Sequence, residues 1–292
     1  MQTFIRQTKS VGGSDNLLEG GLWKQNVYKE SSSELPLLTV ITVVLNRRKH
    51  ISKAIQSVTN QSYENIEYII IDGGSTDGTL QIIQQNDNLI DYWVSERDSG
   101  LYHAMNKGLN LARGEIIGLL NSDDYYPRTT VQSVIDHDKK FNKDIYHGDR
   151  LYIMEYDDFC YMEQSMPDPD INNILNKPSI FHPTCFVKKS VYEKIGQFDT
   201  DFRIVADYDF LIRAVKNGCS FKYIERVLTV FNGTGISDSC YRHIESLRLF
   251  KKHNRYDYHK MVIAFIRCCL IKISSKIIRY DNFLRKKRKS SY

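Results

Sequence analysis

Residues 37–45 read LLTVITVVL, a β-branched run in which only Thr39 and Thr42 interrupt the apolar character. A strand with one face in water alternates polar and apolar residues, so a near-continuous apolar run predicts a strand covered on both faces, as in a parallel sheet flanked by crossover helices. The pattern then repeats. Asn46, Arg47 and Arg48 form a loop, and Ile51, Ala54, Ile55 and Val58 form a helical stripe. A second apolar strand at residues 66–71 runs into Asp72-Gly73-Gly74-Ser75-Thr76-Asp77-Gly78, after which Leu80, Ile82 and Ile83 carry a helix. With a third strand at residues 90–95, this strand, loop and helix order predicts an α/β sheet of mostly parallel strands.

The fourth repetition holds the chemistry. Residues 98–124 read DSGLYHAMNKGLNLARGEIIGLLNSDD: a turn, a helix with Leu101, Met105, Leu109 and Ala112 on one face, Gly114 to end it, and a buried strand at residues 116–120. That strand breaks into Asp123 and Asp124. In open α/β sheets ligands sit outside the carboxyl ends of the strands, so a carboxylate pair there is placed for a ligand. Vicinal carboxylates repel unless a cation offsets their charge, and Mg²⁺ or Mn²⁺ with oxygen ligands suits them. A solvated Asp-Asp turn is the plainer alternative.

A chain of 292 residues with 41% hydrophobic content is long enough for a sizeable interior. Its formal charge of +5 is a property of the tail: residues 272–292 carry +7, which leaves −2 for the rest. A basic block confined to one end fits an anionic surface or a solvated terminus, and argues against a nucleic-acid groove. The six cysteines form no CxxC pair, so no zinc or redox motif is written, and no signal peptide is recognisable. A reducing, cytoplasmic setting is expected.

Residues 1–35, rich in Ser, Gly and Lys, read as an appendage. Beyond Tyr125 the alternation weakens. A helix is expected at residues 131–141, strands at 145–154, 185–188 and 221–231, a loop at 166–169, and helices at 191–195 and from Asp207 to the glycine at 218. A further helix reaches about residue 252. Two acids open the helix after residue 206. Asp207 is free to point into a cleft, whereas Asp209 is turned ~200° away and reads as a first-turn partner of the helix dipole. The loop at Asp72 has neither GxGxxG nor Walker A spacing, and offers a hydrogen-bond-accepting carboxylate at a strand end.

In this order the pieces resemble the family 2 glycosyltransferases, inverting enzymes of the GT-A fold, over residues 36–240. LTVITVVLNR resembles the family's opening strand and Asn-bearing loop, and YIIIDGGSTDGT its second strand with the nucleotide-binding Asp. SERDSGLYHAMNKGLNLARGEIIGLLNSDD resembles the donor-site helix and metal motif, while HPTCFVKKSVYEKIGQFD and ADYDFLIRA resemble acceptor-side segments of non-processive members. The resemblance implies a Rossmann-like nucleotide-binding half, an α+β acceptor half and C-terminal helices. It assigns Asp72 to the base, Asp123 to the ribose, Asp124 to a Mn²⁺ or Mg²⁺ ion and Asp207 to the acceptor proton. The resemblance also implies that Thr42, Asn46, Gly100 and Asn106 line the donor pocket and that His182 adjoins the acceptor. Two departures stand out: Ser122 and Ala206 occupy positions where members often carry acids. No QxxRW segment and no set of membrane spans is present, which favours transfer of one sugar per encounter.

The implied reaction moves a sugar from a nucleotide-sugar donor, of the UDP kind, to a glycan or polyprenyl-linked saccharide acceptor, as in bacterial surface polysaccharide or O-antigen assembly. Competing readings are a sugar-1-phosphate nucleotidyltransferase, disfavoured because Leu45-Asn46-Arg47-Arg48 has no glycine, and a non-catalytic carbohydrate-binding protein. Residues 241–292 form a helical, basic extension. MVIAFIRCCLI at residues 261–271 is too short for the roughly 20 residues of a membrane span. Followed by the polybasic end, it resembles an interfacial helix that would bring the enzyme to an anionic membrane at the inner face of the cell membrane. The equal alternative is a helix packed on the catalytic domain.

Overall fold

The computed structural model describes residues 17–138, 140–154, 157–176, 179–233, 240–254 and 266. In chain order the strands are β1 (Leu18–Gly20), β2 (Leu38–Val44), β3 (Ile66–Asp72), β4 (Tyr92–Ser95), β5 (Ile116–Asn121), β6 (Ile145–Met154), β7 (Asp157–Glu163), β8 (Phe186–Lys188) and β9 (Phe221–Asn232). The helices are α1 (Ile51–Thr59), α2 (Thr79–Gln85), α3 (Leu101–Leu111), α4 (Thr130–His137), α5 (Ile171–Asn176), α6 (Lys189–Ile195), α7 (Ala206–Lys216) and α8 (Cys240–Lys252).

One sheet runs in the order β1-β4-β3-β2-β5-β8-β6-β7, with β9 also paired to β6. Its centre is parallel, as the apolar runs require: β2 pairs with β3 and β5, and β3 with β4. Both faces of these strands are covered, and the period of two sorts their side chains. Ile41, Val43, Ile69, Ile71, Ile117 and Leu119 face α3 and α7, while Val40, Val44, Tyr68, Ile70 and Leu120 face α1 and α4. Gly108 lets α3 lie close on β2, since a Cβ there would stand 2.5 Å from Ile41 Cγ2.

The other half is built on antiparallel β8. It aligns Ile117 of β5 through Val187 with Ile145 of β6. From that register β6, continuing to Met154, passes the level at which β5 ends. With β7 and the upper part of β9 it forms a wall beyond the sheet's carboxyl edge.

Two sequence expectations change. From residue 17 the amino-terminal appendage is part of the sheet: β1 lies antiparallel on β4, and Lys29 Nζ reaches the buried Asp91 carboxylate at 2.8 Å. The beginning of the carboxyl-terminal extension is also bound into the fold. Asp209 is more than a dipole partner, because its buried carboxylate meets Arg213 at 2.7 Å, Lys252 at 2.8 Å and His253 at 2.9 Å. This cluster clamps α8 to α7. The interfacial helix and polybasic end expected after residue 258 lie outside the described residues, apart from Ile266. Among the described residues no helix is long and apolar enough to cross a membrane.

Candidate functional site

The parallel strands end together, and each delivers a polar group to the same edge. Strand pairing sets Val44 beside Asp72 and Asp72 beside Ser95, while Asn121 sits level with Val43. The Asp72 carboxylate is fully buried and held by three donors: Ser75 N–H at 3.0 Å, Ser95 Oγ at 2.6 Å and Ser75 Oγ at 2.5 Å. Asn46 has φ 53°, a left-handed conformation that Asn tolerates, and its Oδ1 accepts the Thr76 N–H at 2.9 Å. The loops after β2 and β3 are thereby locked together.

Asp123 and Asp124 follow β5 and occupy different environments. Asp123 is half-buried, 3.7 Å from Arg47 Nε. Asp124 is 1% exposed; its Oδ1 accepts the backbone N–H of Asn232 at 2.9 Å and its Oδ2 the Asn121 side-chain amide at 3.1 Å. Burial, reinforced by the charge of Asp123, pushes the Asp124 carboxyl up to about 8, with Arg150 pulling the other way. Each oxygen keeps a lone pair after its hydrogen bond. A divalent cation fits here as the missing counter-charge. Among the described residues no three His, Cys, Asp or Glu side chains converge to cage an ion. Mg²⁺ is usually held by one or two carboxylates together with substrate phosphates, and Asp124 offers such a carboxylate.

Asp207 stands in the first turn of α7. Its Oδ1 accepts the Tyr208 N–H at 2.8 Å and lies 3.1 Å from the hydroxyl of Tyr102, in the first turn of α3. Gly100, whose φ of 148° only glycine adopts readily, opens that helix at an exposed turn with nothing within 4 Å of where a Cβ would be. The structure therefore brings Asp72, Asn46 and Asp123-Asp124 to one edge, and Asp207 to the start of the helix that leaves that edge. His182 is buried with its ring edge-on to Phe198, 5.3 Å between centroids. Burial lowers its pKa, although the negative charge of Asp207 acts to raise it.

Thr42 and Asn106 are committed elsewhere. Thr42 is buried in the sheet with its Oγ1 3.1 Å from the Tyr68 hydroxyl, and the Asn106 amide bridges both backbone groups of Phe198 at 2.9 and 3.1 Å. Both hold the framework of the edge.

Three supporting residues have no signal in the sequence. Asn232 supplies the N–H on Asp124. Arg150 lies between the rings of Phe181 and Phe231, 4.1 and 4.5 Å from their centroids. Glu245 of α8, 1% exposed, accepts the N–H groups of Arg203, Ile204 and Val205 at 2.7, 2.8 and 3.3 Å, and so fixes the loop that leads into α7.

The model of glycosyl transferase family 2 matches residues 39–196. An uncharacterized glycosyltransferase of Mycobacterium tuberculosis is 32% identical over 207 residues, covering 69% of this chain and 77% of that protein. Among solved structures, S. aureus TarS 1-349 in complex with UDP-GlcNAc superposes with a TM-score of 0.59 at 21% identity, over 73% of this chain and 65% of that one. The mannosyltransferase PcManGT of Pyrobaculum calidifontis, in complex with GDP-Man and Mn²⁺, gives a TM-score of 0.55 at 21% identity, over 80% and 70%. The fold is thus shared with these GT-A proteins.

Proposed function

Because the chain belongs to glycosyl transferase family 2, we propose that it moves one sugar from a UDP-sugar to a hydroxyl of a glycan or lipid-linked acceptor, inverting the anomeric centre. The observation that carries this reading is the clustering of Asp72, Asn46 and the Asp123-Asp124 pair at one carboxyl edge, with Asp207 tied through Tyr102 to the helix starting there. Structural neighbours that hold UDP-GlcNAc or GDP-Man with Mn²⁺ support a nucleotide-sugar donor and a divalent cation.

The roles follow from what each group has left to offer. Asp72 Oδ1 accepts only Ser75 Oγ among the described residues, so it can take a further hydrogen bond from a nucleotide base. Asp123, less buried than its neighbour, is available to a ribose hydroxyl. A Mn²⁺ or Mg²⁺ ion on Asp124 would neutralise the charge that develops on the departing diphosphate. Asp207 Oδ2 has no partner among the described residues, and it takes the proton of the attacking hydroxyl, a general-base contribution of typically ~10² to 10⁴ in rate. The glycosidic bond breaks through an oxocarbenium-like transition state, and attack opposite the leaving group inverts the centre.

Titration with UDP, with and without Mn²⁺, tests the reading. Binding that requires the cation is the expected result, and absence of binding in both conditions contradicts it.

A further inference from the structure

The wall of β6, β7 and β9 carries an aromatic face that none of the roles above uses. On one side of it Tyr152 stacks on Tyr161, 5.0 Å between centroids at 24°, and Phe231 lies 5.7 Å from Tyr152. Arg150, between Phe181 and Phe231, places its guanidinium 5.8 Å from the Tyr152 ring and pairs with Glu163 at 2.5 Å. Gly233 makes room for this arrangement: any Cβ there would overlap the Tyr152 hydroxyl group. At the outer end Tyr161 is 40% exposed.

The inner end of the face, where Phe231 and Phe181 flank Arg150, is joined to the candidate site by chain continuity. Phe231 precedes Asn232, whose N–H binds Asp124, and Phe181 precedes His182, which feels the charge of Asp207. The turn at His182–Thr184 is fastened to the wall where Thr229 Oγ1 donates to Pro183 C=O at 2.6 Å. The face therefore leads from solvent at Tyr161 to the two acids between which a transfer would occur.

Resting on the transfer reading, we propose that this face is the acceptor subsite and that its occupant is a pyranose ring of a saccharide, seated on the step formed by Tyr152 and Tyr161. A pyranose presents C–H groups on its flat face and hydroxyls on its rim. Aromatic rings flanked by one Arg–Glu pair match both, whereas a purely apolar ligand would leave the charged pair without use. Arg150 and Glu163 are the hydrogen-bonding groups of the subsite, and the rings supply contact area.

The test uses the full chain on a printed array of bacterial surface glycans, with UDP titration in Mn²⁺ as the donor-side control. Tyr161→Ala removes an exposed ring and is expected to weaken glycan binding about tenfold while the UDP affinity stays unchanged, and Tyr161→Phe is expected to bind as the unmodified chain does. Glycan signals equal in Tyr161→Ala and the unmodified chain overturn the proposal, as does an unmodified chain that binds UDP but no glycan. Failure of the unmodified chain to bind UDP defeats the transfer reading itself, and the two failures are thus separable.

Discussion

Asp124 is expected to make the metal-free protein less stable as the pH rises. In the fold its carboxyl holds a proton up to about 8, whereas in the unfolded chain it ionises near 3.8. Between these values the folded state binds the extra proton, so the stabilisation is complete below about pH 4 and is lost as pH climbs through 8. A shift of some four units at 1.36 kcal/mol each corresponds to on the order of 5 kcal/mol. Asp124→Asn replaces the carboxyl by a neutral amide and should erase this dependence. Thermal unfolding in EDTA from pH 5 to pH 9 measures it: the variant should gain on the unmodified protein with pH, by roughly 10 °C in midpoint across the range. Mn²⁺ should restore the unmodified protein at pH 8, and bind about 50-fold more weakly at pH 6, where it must displace the proton. Parallel pH profiles for the two proteins would refute the reasoning.

Glu245→Ala leaves three backbone N–H groups without their acceptor, which should cost about 3 kcal/mol in a urea melt and slow transfer through loosening of the Asp207 loop, with UDP affinity retained. His147 is fully buried, and burial lowers its pKa to about 4, so the stability it supports is present above pH 6.5 and lost as pH falls through 4. His147→Gln should flatten the acid limb of the stability profile by on the order of 3 kcal/mol, read from denaturant midpoints between pH 6.5 and pH 4.

The parallel half of the fold was legible because its strands are buried on both faces, which writes burial directly into residue type. The loops after those strands were legible for the same reason: Asp72 and Asp123-Asp124 are conspicuous where apolar runs stop. What escaped depends on contacts between distant segments. β1 is three residues long and pairs through its backbone, so residues 17–35 carry no hydrophobic period. The parallel pairing of β6 with β9 joins strands some 75 residues apart, and no local pattern announces a partner at that distance. The helix expected to reach residue 141 stops at His137, where Asp138 instead accepts hydrogen bonds from Asn142 and the Tyr146 hydroxyl. Asp209 shows the same limit from the other side. Its helical position correctly turned it away from Asp207, but its partners Lys252 and His253 belong to a segment whose docking the sequence left open. Arg150, Asn232 and Glu245 are ordinary polar residues until tertiary structure gives them neighbours.

Asp207 bears the central claim most directly, and Asp207→Asn isolates it by keeping size and shape while removing the base. Under rapid mixing with UDP-sugar, Mn²⁺ and a saccharide acceptor, the account predicts UDP-sugar binding within about twofold of the unmodified protein and transfer slowed by ~10² or more. Transfer at an undiminished rate would contradict it.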